Sequence, residues 1–188
     1  KAYYSYRDSA HSSQGYVGVD LNTGETLSYT NDTIPSFGQI YSYDSGNQHG
    51  GFAYLYKTSG VTLPATVHVP NAQLFPNGSV VRLSAVQTFN SSQVTTGTLW
   101  QMLDASTLQT ICYIANVTSG GTAVYGKDGS ILRYNLVNVG TTSAPNYYLQ
   151  IWNGSAGTMV SSQTGTGNWQ WRPQGQTFGG ADPYLGNT

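Results

Sequence analysis

Short apolar runs alternate with clusters of Gly, Asn, Asp, Ser and Pro along the chain, and this pattern predicts strands rather than helices. No stretch of ten or more residues combines apolar positions three and four apart with an absence of Gly and Pro. Turn clusters such as Pro76-Asn-Gly and Lys127-Asp-Gly favour tight hairpins. We therefore predict an all-β protein, built as an antiparallel meander of short strands.

Fourteen segments rich in Val, Ile, Tyr, Thr and Leu are candidate strands. Propeller blades usually have four strands, so this number corresponds to three to three and a half blades, and a β-sandwich is the alternative. The predicted strands are Ala2–Tyr6, Gly15–Leu21, Thr26–Thr30, Gln39–Tyr43, Gly51–Lys57, Thr66–Val69, Ser79–Phe89, Gly97–Leu103, Thr110–Ala115, Thr122–Tyr125, Ile131–Val137, Tyr147–Trp152, Thr158–Ser162 and Trp169–Arg172.

Two segments, residues 15–27 and 97–111, share one design: an apolar strand, an Asp-x-x-Thr turn and a returning strand. The carboxylates of Asp20 and Asp104 are predicted to accept backbone N–H groups inside these turns. Gly24 supplies the positive φ that reverses the chain in the first copy. Both segments are therefore interpreted as hairpin turns rather than as binding sites.

The pattern Gly-x-x-x-x-Asp-x-x-Thr-Gly-x-x-x at 15–27 resembles the repeat of pyrroloquinoline-quinone-type β-propellers, and the copy at 97–111 has Leu108 where Gly is usual. The resemblance implies partial propeller-like blades. Because the copies lie 84 positions apart, it also implies an intervening blade around 51–89 without the pattern. Three longer stretches are similar to segments of uncharacterised secreted archaeal proteins with such propellers: Phe37-Gly-Gln-Ile-Tyr-Ser-Tyr, Ser119-Gly-Gly-Thr-Ala-Val-Tyr and Trp169-Gln-Trp-Arg-Pro.

We expect residues 1–188 to be a single all-β domain or a fragment of a larger β-propeller. Quinone-dependent dehydrogenases that resemble this fold use an adjacent cysteine pair and a calcium ion. Cys112 is the only cysteine here, and its apolar neighbours in Thr110-Ile-Cys-Tyr-Ile predict a buried core thiol. We therefore expect no cofactor.

Charged residues make up only 8% of the chain and the net charge is −1, so uncharged polar groups must hydrate the surface. The basic residues stand singly, without the basic stripe that nucleic-acid binding requires. The apolar runs are too short for a membrane span. Aromatic residues make up 13% of the chain, which is enough to build a core and argues against disorder.

Five Asn-x-Ser/Thr sequons without Pro at the middle position are candidate N-glycosylation sites, slightly more than chance would produce. Covalent glycans would hydrate a surface that has few charges, and they would place the protein outside the cell. The candidate sites are Asn31, Asn77, Asn90, Asn116 and Asn153.

Few side chains could support catalysis or bind a metal. Glu25 is the only Glu, whereas glycoside hydrolysis uses two carboxylates. His11, His49 and His68 lack the local spacing of a zinc motif, and the turn at 20–25 lacks the downstream Glu of a calcium loop. We predict neither a metal site nor an enzymatic activity.

Trp169 and Trp171 stand two positions apart, so a strand would present both rings on one face. Aromatic faces pack on sugar rings, which makes these residues a candidate sugar-stacking surface; core packing or cross-strand pairing is the alternative.

These features together predict a secreted, N-glycosylated structural protein of the cell surface. It would form part of an extracellular assembly or filament with copies of itself or with other surface-protein chains, using exposed strand edges for contact. The alternative is a glycan- or protein-binding propeller module of a larger cell-surface protein.

Overall fold

The computed structural model describes residues 1–7, 13–45, 48–69, 72–74, 80–82, 87–93, 97–115, 117, 120–127, 131–153, 176–179 and 184–187. Within these residues all regular structure is β-strand, apart from a 3₁₀ turn at Ser91–Gln93. The all-β prediction is confirmed. The strands predicted at Thr158–Ser162 and Trp169–Arg172 lie outside the described residues.

The strands largely follow the predicted apolar runs, and several coincide with them at both ends. In chain order they are β1 (Ala2–Arg7), β2 (Ser13–Val19), β3 (Thr26–Thr30), β4 (Phe37–Ser45), β5 (Gln48–Lys57), β6 (Thr66–Val69), β7 (Ala72–Leu74), β8 (Val80–Arg82), β9 (Gln87–Asn90), β10 (Trp100–Asp104), β11 (Thr110–Ala115), β12 (Thr122–Tyr125), β13 (Ile131–Asn138), β14 (Tyr147–Asn153), β15 (Gln176–Gly179) and β16 (Tyr184–Asn187).

The described strands form three sheets and one two-stranded hairpin, β7-β8. We call the sheets the first sheet (order β1-β2-β3), the middle sheet (β4-β5-β10-β11-β15-β6-β9) and the last sheet (β12-β13-β14-β16). Neighbouring strands are antiparallel, except that β15 runs parallel to both β11 and β6. The antiparallel arrangement is confirmed for most of the fold, with one late strand inserted in parallel.

The structure corrects the predictions for residues 51–89. Ser79–Phe89 is not one strand, because β8 pairs with β7 whereas β9 pairs with β6. Among the described residues this region also forms no four-stranded blade: β5 pairs directly with β10, and β6 and β9 extend the far side of the middle sheet. The sequence pattern did not predict β7, β15 and β16, which are only three or four residues long and depend on their partners for pairing.

The two sequence copies fold into the same three-stranded unit. β1-β2-β3 forms the first unit and β5-β10-β11 the second. Tyr16 lies opposite Thr30 in the first unit, and Trp100 lies opposite Ile114, 84 positions later, in the second. Both hairpins shift register at the last pair before the turn. The sequence repeat is therefore a structural repeat with matching strand register.

The Asp carboxylate holds each turn together, as predicted. Oδ1 of Asp20 accepts two backbone N–H groups at 2.7 and 3.2 Å, and Oδ1 of Asp104 accepts the two corresponding groups, both at 2.8 Å. The backbone N–H four residues later donates to the Asp carbonyl, at 2.8 Å from Gly24 and 2.9 Å from Leu108. The two turns thus have one geometry, with φ +74° at Gly24 and +60° at Leu108.

Leu108 adopts a left-handed conformation that costs a non-glycine residue about 1 kcal/mol. We expect Leu108→Gly to raise the free energy of unfolding by about 0.5–1 kcal/mol, because the Gly24 copy forms the same turn without this cost. Urea denaturation measures the change. Leu108→Ala is the control, since it removes the side chain but keeps the backbone cost; equal stabilisation by both variants would exclude backbone strain as the cause.

The middle sheet lies between the other two sheets. One of its faces carries Trp100 and Met102, which join a buried cluster with Ile131 and Trp152 of the last sheet. Cys112, also in this cluster, is fully buried, and burial raises the pKa of its thiol. The prediction of a core thiol is confirmed.

The other face of the middle sheet packs toward the first sheet. Leu55 and Leu103 pair directly across β5 and β10 and are both buried. The Tyr3 hydroxyl, on β1, donates to the carbonyl of Ala105 at 2.7 Å. The three sheets are therefore stacked in chain order.

Candidate functional site

The outer face of the last sheet is apolar and exposed to solvent. Its inner side carries the buried residues Ile131 and Trp152, so the alternating neighbours point outward. Leu136 pairs directly with Leu149, and these side chains are 64% and 40% exposed. We name this surface the C-face and define it by Val124, Leu132, Tyr134, Leu136, Tyr147, Leu149 and Ile151.

The outer face of the first sheet is lined with tyrosines. Tyr4, Val17 and Tyr29 lie opposite one another on the three strands, and Val17 is buried between the two half-exposed tyrosines. The rings of Tyr6 and Tyr29 meet edge to face, with centroids 5.9 Å apart. We name this surface the N-face and define it by Tyr4, Tyr6, Val17 and Tyr29.

Both faces consist of uncharged side chains and lie at opposite ends of the stack of sheets. Contiguous exposed apolar surface on a folded protein marks an interaction site more often than chance. The contact between the middle and last sheets uses similar residue types, including Tyr, Trp and Ile. The two faces are therefore chemically suited to continue the stack.

A half-buried ion pair joins the segment that follows β3 to the middle sheet. The Lys57 ammonium contacts both carboxylate oxygens of Asp32 at 2.7 Å. The Lys57 side chain is only 3% exposed, whereas that of Asp32 is 47% exposed. Burial raises the pKa of Asp32, but the hydrogen bonds from Lys57 and from the Thr33 N–H outweigh it and hold the pKa below its usual value. The Asp32 carboxylate offsets the desolvation cost of burying the Lys57 ammonium at this contact.

The lowered pKa values of Asp32 and Asp104 predict acid sensitivity. The hydroxyl of Ser106 makes the largest contribution to lowering the pKa of Asp104. Both carboxylates stabilise the fold fully above the unfolded pKa of about 3.9, and this stabilisation is lost as the pH falls through the lower folded values. We therefore expect the urea midpoint to fall below about pH 4.

Asp104→Asn is the control for this acid effect, because the amide cannot titrate. Its urea midpoint should change less between pH 6 and pH 2 than that of the parent chain. A parent midpoint that rose on acidification, or an identical pH dependence in the Asn variant, would contradict the assignment to these carboxylates.

A cleft of about 370 Å³ lies between the middle and last sheets. Arg133, on the inner side of β13, lies over the Trp100 ring with its guanidinium carbon 5.5 Å from the ring centroid. Phe37 stacks on Tyr56 nearby and meets Trp100 edge to face at 5.3 Å. The lining residues are Phe37, Thr58, Thr98, Trp100, Gly120, Ala123, Tyr125, Ile131 and Arg133.

Sequence analysis did not predict this cleft. Arg133 gave the one local signal. It stands two positions after the buried Ile131 on the same strand, so this charged side chain lies on the core side of the sheet. The stacking of Arg133 on Trp100 joins residues 33 positions apart in different sheets, which no local pattern encodes.

The candidate glycosylation sites are only partly described. Asn31 follows β3 and is exposed. Asn90 ends β9 and is exposed, and its Oδ1 accepts the N–H and the hydroxyl of Ser92 at 3.1 and 3.0 Å. Asn153 ends β14, where the backbone alone is described, and Asn77 and Asn116 lie outside the described residues. Glycosylation of all five stays a prediction.

The candidate sugar-stacking surface consists of two tryptophans near the end of the chain. Trp169 and Trp171 lie outside the described residues, so their sugar-stacking role stays a prediction.

Nδ1 of His68 lies 3.2 Å from the Thr88 hydroxyl. Over the described ranges there is no group of three or more His, Cys, Asp or Glu side chains that could hold a metal ion. None of the described segments forms a helix long and apolar enough to cross a membrane.

Comparison with known proteins finds no matching family model, no matching curated protein and no matching solved structure. The resemblance to quinone-type propeller repeats therefore stays a prediction from the sequence, and the functional inference rests on the surfaces described above.

Proposed function

We propose that this chain is a structural protein of an extracellular surface assembly, in which the C-face of one copy stacks on the N-face of the next. The observation that carries the proposal is the stack of three sheets that ends in an uncharged, solvent-exposed face on each side. Such a head-to-tail contact generates a ring if its rotation closes and a filament if it does not.

The contacts within the chain support a second copy as the occupant. The middle and last sheets already pack through apolar and aromatic side chains, and the Tyr3 hydroxyl of the first sheet donates to the Ala105 carbonyl. A copy added at either end would extend this arrangement with the same chemistry. The tyrosines of the N-face also bring hydroxyl groups, which can find partners when the rings are buried.

The low charge of the chain supports burial of these faces. A charged group that enters an interface must be paired or desolvated at a cost. Neither face includes a charged residue, so the two can meet without that cost. Asn90, a candidate glycan site at the end of β9 in the middle sheet, belongs to neither face.

The test is sedimentation velocity and electron microscopy of the purified chain over a range of concentrations. We expect concentration-dependent rings or filaments. Leu136→Lys places an ammonium in the C-face and should weaken association about 100-fold or more, because burying a Leu contributes about 1.5–3 kcal/mol and the charge adds a desolvation cost. Leu21→Lys is the matched control: Leu21 is 70% exposed in the β2–β3 turn, and this variant should assemble normally.

Mixing two blocked variants distinguishes a head-to-tail contact from a contact between identical faces. Tyr29→Lys blocks the N-face and Leu136→Lys blocks the C-face, so each alone should be monomeric. Together they should form a dimer, because one intact N-face meets one intact C-face. A strictly monomeric parent chain, or assembly unaffected by both variants, would overturn the proposal.

A further inference from the structure

Two exposed tyrosines of the N-face meet across the first sheet. The rings of Tyr6 on β1 and Tyr29 on β3 pack edge to face, with centroids 5.9 Å apart. Tyr6 lies opposite Gly15 on the middle strand β2, and because glycine has no side chain, the Tyr6 ring can lean across β2. Tyr29 leans over β2 from the other side, since its hydroxyl donates to the Gln14 carbonyl at 2.6 Å. The two rings therefore meet above the backbone of β2.

Both tyrosine side chains are open to solvent. Tyr6 is 47% exposed and Tyr29 is 55% exposed, so an oxidant in solution can reach either ring. The cysteine, methionine and tryptophan side chains that the structure describes lie in the core and are at most 4% exposed: Cys112, Met102, Trp100 and Trp152. Oxidation of side chains follows their exposure, so within the described part of the chain it should fall on the surface tyrosines first.

Neighbouring tyrosines can be joined by oxidation. Each phenol loses one electron and one proton to give a phenoxyl radical. The two radicals form a carbon–carbon bond between ring carbons next to the oxygens, and the protons on these carbons move to the oxygens as the rings become aromatic again. The product has two hydrogens fewer than the two tyrosines. Hydrogen peroxide, acting through a peroxidase, accepts the two electrons and two protons and becomes two molecules of water.

The fold favours this bond within one chain. Exposed side chains rotate within nanoseconds, so the edge-to-face pair can bring the two ring carbons together while both radicals persist. Groups held side by side on one fold also react at an effective concentration far above that of separate chains in dilute solution. Coupling of Tyr6 with Tyr29 should therefore be faster than coupling between copies.

We propose that Tyr6 and Tyr29 form an oxidative cross-linking site, at which a peroxidase-type one-electron oxidant joins β1 to β3 through a dityrosine bond. These strands lie on opposite sides of β2, so the bond closes the first sheet over its middle strand. A disulfide within the chain cannot do this, because Cys112 is the only cysteine. The inference does not rest on the proposed assembly, and it concerns copies whose N-face is not covered by a neighbour.

The test is oxidation of the dilute Leu136→Lys chain, in which the blocked C-face keeps copies apart, with a peroxidase and limiting hydrogen peroxide. We expect a monomer that is lighter by two hydrogens and shows dityrosine fluorescence. Trypsin cleaves after Arg7, between the two tyrosines, so peptide mapping should find them in one cross-linked product. Tyr6→Phe or Tyr29→Phe should each reduce its yield at least tenfold. Tyr4→Phe is the matched control: Tyr4 lies on the same strand and face and is 50% exposed, and its loss should leave the yield unchanged.

A second tyrosine pair separates exposure from geometry. The rings of Tyr3 and Tyr16 also meet edge to face, with centroids 6.2 Å apart, but Tyr16 is only 1% exposed, so this pair should not couple. The cross-linked monomer should melt about 5 °C or more above the untreated chain, because the bond restricts the unfolded state as a disulfide does. No cross-linked monomer, a yield unchanged in both the Tyr6 and Tyr29 variants, or products joined mainly between copies would overturn the proposal.

Discussion

Trp100→Ala is expected to lower the free energy of unfolding by about 3–5 kcal/mol, as truncation of a buried aromatic residue does. Trp100 is 4% exposed and meets three other rings edge to face, with centroid distances of 5.3 Å to Phe37, 5.9 Å to Tyr56 and 5.6 Å to Trp152. The last contact crosses from the middle sheet to the last sheet. The variant would therefore leave a cavity where two sheets join.

Urea denaturation followed by circular dichroism measures this loss. Tyr147→Ala is the control, because it removes an exposed aromatic side chain and should change the stability of the dilute monomer by no more than about 0.5 kcal/mol. If Trp100→Ala does not fold, Trp100→Phe provides a smaller cavity and a measurable loss. Similar values for Trp100→Ala and Tyr147→Ala would show that Trp100 does not hold the two sheets together.

Gly15→Ala is expected to cost at least about 3 kcal/mol, because steric overlap and backbone strain act together. Gly15 has φ +125°, and a Cβ atom added there would lie 2.1 Å from the carbonyl oxygen of Thr30 and 2.9 Å from Cα of Asn31. Both are backbone atoms of the adjoining strand and its end, so they cannot move without breaking the pairing of β2 with β3.

Gly24→Ala separates the two causes. Gly24 also has a positive φ, but a Cβ atom added there would meet nothing within 4 Å. This variant should therefore cost only the conformational penalty, about 1 kcal/mol. Thermal unfolding of both variants gives the comparison, and equal losses would mean that the approach of Thr30 to Gly15 does not limit the fold.

Gly15→Ala should also affect the contact between the first and middle sheets. Asn31 is followed by Asp32, whose carboxylate binds the buried Lys57 ammonium of the middle sheet. A displacement of β3 at its end would move Asp32 away from Lys57 and leave a buried charge without its carboxylate. We therefore expect Gly15→Ala to lower the free energy of unfolding by a smaller amount in a Lys57→Met background, because no buried ammonium is then left unpaired.

Local features of this chain were predictable from its sequence. The turns at Asp20 and Asp104 followed from short-range chemistry, since each carboxylate binds N–H groups two and three residues away. The burial of Cys112 followed from its apolar neighbours on a strand. These features depend on contacts between residues close in sequence, where residue type and spacing restrict the geometry strongly.

The candidate sites were less predictable. The residues of the C-face and the N-face belong to strands that were predicted correctly, but alternation alone does not say which side of a strand meets another sheet. The same holds for Lys57, whose sequence position resembles that of an ordinary surface residue, because its partner Asp32 lies 25 positions earlier, after β3.

By itself, the sequence determined the all-β class, most strand positions, the repeated hairpin and the scarcity of catalytic groups. The first three depend on the alternation of side chains along a strand and on hydrogen bonds within turns, which involve residues only a few positions apart. Only the tertiary structure decided that β15 enters the middle sheet in parallel, that two outer faces remain exposed and that Arg133 lies over Trp100. The physical reason is that many short apolar strands can pair with one another almost equally well, so packing of the whole chain selects the partners.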